Sequence, residues 1–221
     1  MKKILTLSMM LAAVTLWSCG RTQTATAQTA ADVQTLLAIK DSLASIDRQR
    51  EEWKRLWLAP QAFEIIQRLP EEGTGYDAYH KACLLDTLLR DCHGTDMPRA
   101  TIGAREYQLE MLRKSGTTNE AMEKEAERQL SQLRDYIDER LSVSEYRKRH
   151  GVNLDFDPVE RTARYEEILP EVEEKAAALC RGQRRGFGFC YFYWERKTEV
   201  LREYGIEWES PAMMNPEVMF D

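Results

Sequence analysis

The sequence contains no stretch of alternating apolar and polar residues that would mark a half-buried strand, and no internal repeat. After Trp17 it also lacks any apolar run long enough to span a bilayer. These absences argue against a sheet-based fold, a solenoid and a transmembrane helix. Catalytic signatures are missing too: there is no Gly-x-Ser-x-Gly elbow, no His-Glu-x-x-His, and no cysteine set with a His and Asn partner signature. A positive balance is also absent, with 31 Lys and Arg against 37 Asp and Glu for a net charge of −6. Nucleic acid is therefore not an expected partner, because phosphate binding needs a net basic face.

What is present begins with an export signal. Lys2 and Lys3 precede an apolar core from Ile4 to Trp17, and Leu16-Trp17-Ser18-Cys19 closes it. An apolar residue, any residue, a small residue and then Cys resembles the lipobox of bacterial lipoproteins. That resemblance implies cleavage before Cys19, a diacylglycerol thioether on its sulfur and acylation of its amine. Gly20, where inner-membrane retention would call for Asp, implies delivery to the outer membrane. The competing reading is cleavage after Ala25-Thr26-Ala27, which would free the chain. Acyl chains contribute about 0.8 kcal/mol per buried CH₂, enough for two or three of them to hold a domain at a membrane. Removing residues 1–18 leaves 29 basic residues against 37 acidic ones, net −8. Such a surface suits anionic lipid poorly, so anchoring falls to the acyl chains. The expected organisation is a signal peptide (1–18), a lipidated flexible tether rich in Thr, Ala and Gln (19–29) and one helical domain (30–221).

Three-four spacing dominates that domain. Leu36, Ile39, Leu43, Ile46, Trp53 and Trp57 predict one long amphipathic helix from Ala30 to Leu58, which Pro60 breaks before a short helix ending at Pro70. Helices follow over Tyr76 to Arg90 and Ile102 to Lys114. A charged helix from Thr118 carries the stripe Met122, Ala126, Leu130, Leu133, Ile137 and Leu141, continuing to Tyr146 and ending near Gly151. Asp157-Pro158-Val159-Glu160 is a strong helix start, running to Leu179 with Pro170 as a kink or break. The last helix spans Phe189 to Tyr204. Beyond Gly205 an extended tail is expected to lay Trp208, Met213, Met214, Val218 and Phe220 across the helices. The predicted fold is all-α, an irregular multi-helix bundle of long amphipathic helices with an extended C-terminal tail.

Six of the eight residues from Phe187 to Trp194 are aromatic. Such a cluster needs cover, and the upstream helices are expected to supply it. With Cys19 lipidated, Cys83, Cys92, Cys180 and Cys190 remain, and four cysteines in an exported chain allow three disulfide connectivities. Cys180–Cys190 is favoured, because it would sit across an αα-hairpin and contribute about 2–3 kcal/mol by loop closure. Cys83 and Cys92 can pair only if their helix ends before Cys92, because nine residues of helix span about 13 Å.

Other constellations are better explained without chemistry. His80-x-x-Cys83 with Cys92-His93 offers zinc-type ligands, but its spacing matches no zinc module, so no metal and no cofactor is expected. The acids from Asn153 to Asp157 alternate like a calcium loop, yet Pro158 and Arg164 occupy the places of its glycine and its glutamate. The loop Gly182 to Gly188 has the glycines of a phosphate cradle. No strand precedes it and no Lys-Ser/Thr follows, so nucleotide binding is not expected. Arg181, Arg184 and Arg185 beside the next helix N-terminus form a candidate anion site, suited to a partner carboxylate, against the alternative of a solvated turn. No catalytic residue is assigned. Glu195, beside Trp194, is the one acid worth testing for glycoside chemistry.

The segments Gly186 to Trp194, Tyr204 to Trp208 and Asn215 to Asp221 resemble the C-terminal end of Gram-negative envelope proteins of uncharacterised role. No site residue is implied by that resemblance. The expected function is a non-enzymatic, lipid-anchored envelope protein acting structurally or through an unidentified protein partner. The alternative is an enzyme or binding module for cell-envelope glycans, discriminated by whether the aromatic band leaves a concave cleft with convergent acids.

Overall fold

A computed structural model describes residues 27–46, 51–72, 75–90 and 94–220. Every regular element among them is helical, so the fold is an irregular all-α bundle. The elements are α1 (27–46), α2 (Lys54–Arg68), α3 (Ala78–Arg90), α4 (Pro98–Ser115), α5 (Glu120–Ile137) and α6 (Val143–His150). A 3-10 turn, Pro158–Arg161, then precedes α7 (Ala163–Leu179), α8 (Phe189–Glu203) and the short α9 (Pro211–Met214). Cys19, Cys92 and His93 lie outside the described residues, as do the signal peptide and most of the tether.

The expected long first helix is two helices. Leu36, Ile39, Leu43 and Ile46 of the expected seam belong to α1, whereas Trp53 precedes α2 and Trp57 is exposed on it, Leu56 taking the buried position instead. Asp32 near the start of α1 accepts two bonds from Arg68 at the end of α2, at 2.8 and 2.9 Å, which fixes the pair antiparallel. A continuous helix would leave that seam facing one neighbour, whereas folding it back buries both halves against each other and α3. Pro60 lies inside α2 and Pro170 inside α7, where breaks were expected. Each removes one helical hydrogen bond, a cost of about 3 kcal/mol. The faces on both sides of each proline stay buried, and that burial outweighs the loss: Leu56, Ile65 and Ile66 around the first, Leu169, Val172 and Ala176 around the second.

Two apolar cores are the largest among the described residues, beside smaller clusters between α3 and α4 and between α4 and α5. In the first, Leu36 and Ile39 of α1 meet Ala62, Ile65 and Ile66 of α2, Leu85, Leu88 and Leu89 of α3, and Ala104 of α4. In the second, Tyr165, Ile168, Leu169 and Val172 of α7 meet Val200 and Leu201 of α8, closed by Ile206 and Trp208 from the tail. Leu56 of α2 joins this second core, so α2 spans both.

The charged helix expected to run on to Tyr146 ends at Ile137 instead. Arg161, buried below the 3-10 turn, donates to the carbonyls of Asp135, Tyr136, Asp138 and Leu141 and so satisfies the C-terminal end of α5. α6 restarts on a capping box between Ser142 and Glu145. The tail is extended from Ile206 to Ser210 and then makes the single turn of α9. It is tied back by Asn215, whose amide exchanges bonds of 2.7 and 2.8 Å with the backbone of Asp155, and by Trp208, whose indole N–H donates to Glu160 at 2.7 Å. Trp208 is buried and Phe220 half-buried, as expected, whereas Met213 and Val218 are exposed.

Two further expectations are corrected. Cys83, Cys180 and Cys190 are free thiols, so the Cys180–Cys190 disulfide does not form. Cys180 caps α7 and faces a shallow groove under the 181–185 loop, while Cys190, in the first turn of α8, faces a different and larger cleft. A bridge requires the two Cβ atoms about 4 Å apart with the sulfurs in bonding contact, and the α7–α8 hairpin does not bring the two thiols to that geometry. The partner expected for Cys83 is Cys92, outside the described residues. Membrane attachment has no counterpart in the folded helices either: among the described residues no helix is long and apolar enough to cross a membrane.

Candidate functional site

The two cores do not fuse. Between them α2, α4, α7 and α8 leave a cleft of about 400 Å³. α2 contributes Leu56, Ala59, Pro60 and Phe63, and α3 contributes Leu88 and Leu89. The wall continues through Met97, Ala100 and Ala104 to Leu169 and Ala177 of α7 and then to Phe189, Cys190, Tyr193 and Trp194 of α8. The lining includes four small residues, Ala59, Ala100, Ala104 and Ala177, whose side chains fill little of the space between the helices.

The aromatic band is therefore not a covered core. None of its six rings is fully buried: Phe187 is 79% exposed and Tyr191 42%, and the rest are half-buried. Phe189, Tyr193 and Trp194 form one wall of the cleft, and Trp53 stands across from them. Helix periodicity divides the band in this way, because Phe189, Cys190, Tyr193 and Trp194 share one face of α8. Trp194 is held from outside by the edge of Phe220, with ring centroids 5.1 Å apart, and by Tyr191 at 5.7 Å.

Charged groups border the cleft, and they are already engaged. Arg185 pairs with Glu52 at 3.2 Å and lies over the Phe189 ring at 5.1 Å. Arg55 and Asp96 also have interaction partners. At the base, the Tyr193 hydroxyl donates to Glu173, whose other carboxylate oxygen meets Lys197 at 2.6 Å. Lys197 is deeply placed, with its ammonium 4.9 Å from the Trp208 ring and 5.5 Å from that of Tyr165. Burial alone would depress its pKa, but Glu173, Tyr165 and Glu160 outweigh burial and hold it well above the usual lysine value. Burial, reinforced by Glu173, pushes the Tyr193 phenol up. Burial also raises Glu160, against the pull of Lys197 and the Trp208 indole. The base of the cleft is thus a charged-neutral network, Tyr193–Glu173–Lys197, backed by Glu160 and Trp208.

Sequence reasoning identified the aromatic wall and Arg185 but missed Glu173 and Lys197. They stand 24 residues apart on different helices, and no local spacing marks such a pair. The predicted anion site is not assembled as a cluster: Arg181 and Arg184 are exposed, and the carboxylate that Arg185 holds is Glu52 of the same chain. Glu195 is exposed, pairs with Arg196 at 3.0 Å and does not line the cleft. His80 bonds Asp77 at 2.9 Å, and no group of three or more metal-type ligands occurs among the described residues. What this arrangement can do chemically is take up an apolar guest beside the acids Glu52, Asp96 and Glu173 and the cations Arg55 and Arg185. No protein-family model matches the chain, no curated protein matches it in sequence, and no solved structure matches it.

Proposed function

We propose that this chain is an exported, non-enzymatic binding domain of the cell envelope, held at the outer membrane by acyl chains on Cys19, and that it works through the cleft between its two cores. The observation that carries this reading is the pairing of an open apolar interior with charged groups already committed to one another. Such a site gains free energy by taking up apolar surface, at about 25 cal/mol per Å², and the charged groups Glu52, Arg185 and Glu173 that line it are already tied to other side chains. The guest is an apolar group, free or presented by a protein partner. Lipid anchorage rests on the lipobox-like Leu16-Trp17-Ser18-Cys19 alone. A glycan-cleaving enzyme is less well supported, because Glu195 lies away from the cleft and Glu173 is tied to Tyr193 and Lys197.

Two measurements test this. The neutral fluorophore N-phenyl-1-naphthylamine should bind the folded chain and brighten. Ala177→Phe, which projects a ring into the cleft from α7, should abolish the brightening while leaving thermal unfolding within a few degrees of the parent. Equal brightening in both proteins would sink the cleft as the binding site. For the anchor, Cys19→Ser should release the chain from membranes and remove the acyl mass, and unchanged retention would count against lipidation.

A further inference from the structure

We propose that the loop between α7 and α8, residues 181–188, docks on the surface of a phospholipid bilayer, with Phe187 entering the interfacial layer and Arg181 and Arg184 meeting lipid phosphates. The contact depends neither on the cleft nor on acylation of Cys19. Charge carries the first part of the argument, because the loop is a local exception to an acidic surface. In a chain of net charge −6, the twenty residues from Lys175 to Trp194 contain four cations and no acid. Two of those cations are engaged, Lys175 with Glu171 at 3.1 Å and Arg185 with Glu52 at 3.2 Å. Arg181 and Arg184 are exposed and form no ion pair among the described residues. The acids around the loop are largely taken: Glu51, across the groove beneath it, pairs with Lys54, and Glu52 holds Arg185. Along the hairpin the nearest acids are Glu174, about 9 Å before Cys180 on α7, and Glu195, which pairs with Arg196.

Apolar surface projects from the same place. Phe187 is 79% exposed, more than any other large apolar side chain among the described residues, and Leu179 at the end of α7 is 54% exposed. Gly188, at φ +82°, turns the chain into α8 directly after Phe187, so the ring stands at the corner of the turn. Unpaired arginines beside a protruding Phe and Leu match the chemistry of a headgroup layer, phosphate outside and hydrocarbon just below. A protein partner fits this tip less well. A stable protein interface takes about 800 Å² from each side, more than an eight-residue loop can offer, whereas a bilayer accepts a small convex shape. The loop also adjoins the cleft: Arg185, Phe189 and Cys190 line it, and Trp53 lines both the cleft and the groove beneath the loop. Docking therefore brings one wall of the cleft to the lipid headgroups. The Arg185–Glu52 pair sets the loop at the start of α2, whereas Asp32–Arg68 sets the start of α1 at the end of α2. Tether and loop are thus separated by roughly the length of α2, about 20 Å. With the acyl chains proposed above holding the other end, even a weak loop contact lays this helix pair along the membrane.

The experiment uses the chain without residues 1–18 and with Cys19→Ser, which removes the acylation site and keeps every described residue. It should float with vesicles of phosphatidylcholine containing about one-quarter phosphatidylglycerol, and raising sodium chloride to about 0.5 M should weaken that binding. Arg181→Gln combined with Arg184→Gln should lower the partition coefficient about twentyfold, about fivefold for each arginine. Phe187→Ser should lower it about tenfold and leave its salt dependence unchanged. All three side chains are exposed, so the melting temperatures should match the parent. None of the three lines the cleft, so N-phenyl-1-naphthylamine should brighten equally in all of these proteins, which separates a failed docking from a failed cleft. A parent chain that does not float with the anionic vesicles, or loop variants that float as well as the parent, would overturn the docking.

Discussion

Arg161 illustrates how much one side chain decides here. Its guanidinium is 3% exposed and reaches four backbone carbonyls at the end of α5 and in the following turn. Among the described residues no acid pairs with it at the distances of an ion pair, and carbonyl dipoles and the C-terminal end of the α5 macrodipole stabilise its charge. Arg161→Met should destabilise the fold by about 3 kcal/mol or more, because several buried acceptors lose their donor at once. Arg161→Lys should recover only part of that, since an ammonium cannot reproduce the planar fork. Urea unfolding monitored by circular dichroism checks both. Glu166 plays the converse role. It accepts the backbone N–H groups of Arg99 and Ala100 at 2.8 and 3.0 Å and so caps the N-terminus of α4 from α7, where Met97 has no capping side chain.

At the scale of elements, the tail behaves as a strap rather than as a terminus. Trp208 fills the second core and donates to Glu160, and Phe220 supports Trp194 from outside the cleft. Trp208→Phe keeps most of the ring but removes the indole N–H, leaving Glu160 short of a partner. The expected loss is about 1–3 kcal/mol, with weaker fluorophore binding because the Lys197 and Glu173 network shifts with it.

Helix pairing also sets the response to acid. A hydrogen bond from Arg68 holds Asp32 below the usual carboxylate range, and Arg149 followed by His150 does the same for Asp135. Arg128 lowers Glu125 to about 2 and Arg140 lowers Asp138 to about 2. Each of these favours the folded state above the unfolded carboxylate pKa, near 4, and loses that contribution as pH falls toward 2. Glu160 acts in the opposite sense: its raised pKa favours folding when protonated, and that contribution fades as pH rises through the glutamate range. Because the lowered groups outnumber it, the urea midpoint should be level near neutrality and drop between about pH 4 and pH 2. A midpoint that rose across that interval would contradict the pairings.

At the scale of the whole molecule, the described cysteines Cys83, Cys180 and Cys190 are free thiols. Reductant should therefore leave the melting temperature unchanged, and native-state alkylation without reductant should modify Cys190. N-phenyl-1-naphthylamine should slow alkylation at Cys190, which lines the cleft, but not at Cys83 on α3. Peptide mass mapping over time distinguishes the two sites.

The all-α class and most helix positions were legible in the sequence because amphipathic periodicity is local: three-four spacing marks α3, α4, α5 and α8 whatever they pack against. The aromatic band was legible for the same reason, as a property of contiguous residues. Tertiary structure alone decided that Pro60 and Pro170 stay inside helices, that the first seam folds back between α1 and α2, and that α5 stops at Ile137. In each case a remote contact outweighed a local preference of comparable size. The cleft belongs to the same category. Its wall is assembled from residues of α2, α3, α4, α7 and α8, and its Glu173 is paired with a lysine on another helix. Neither relation has a fixed spacing along the chain, so only the packed helices determine them.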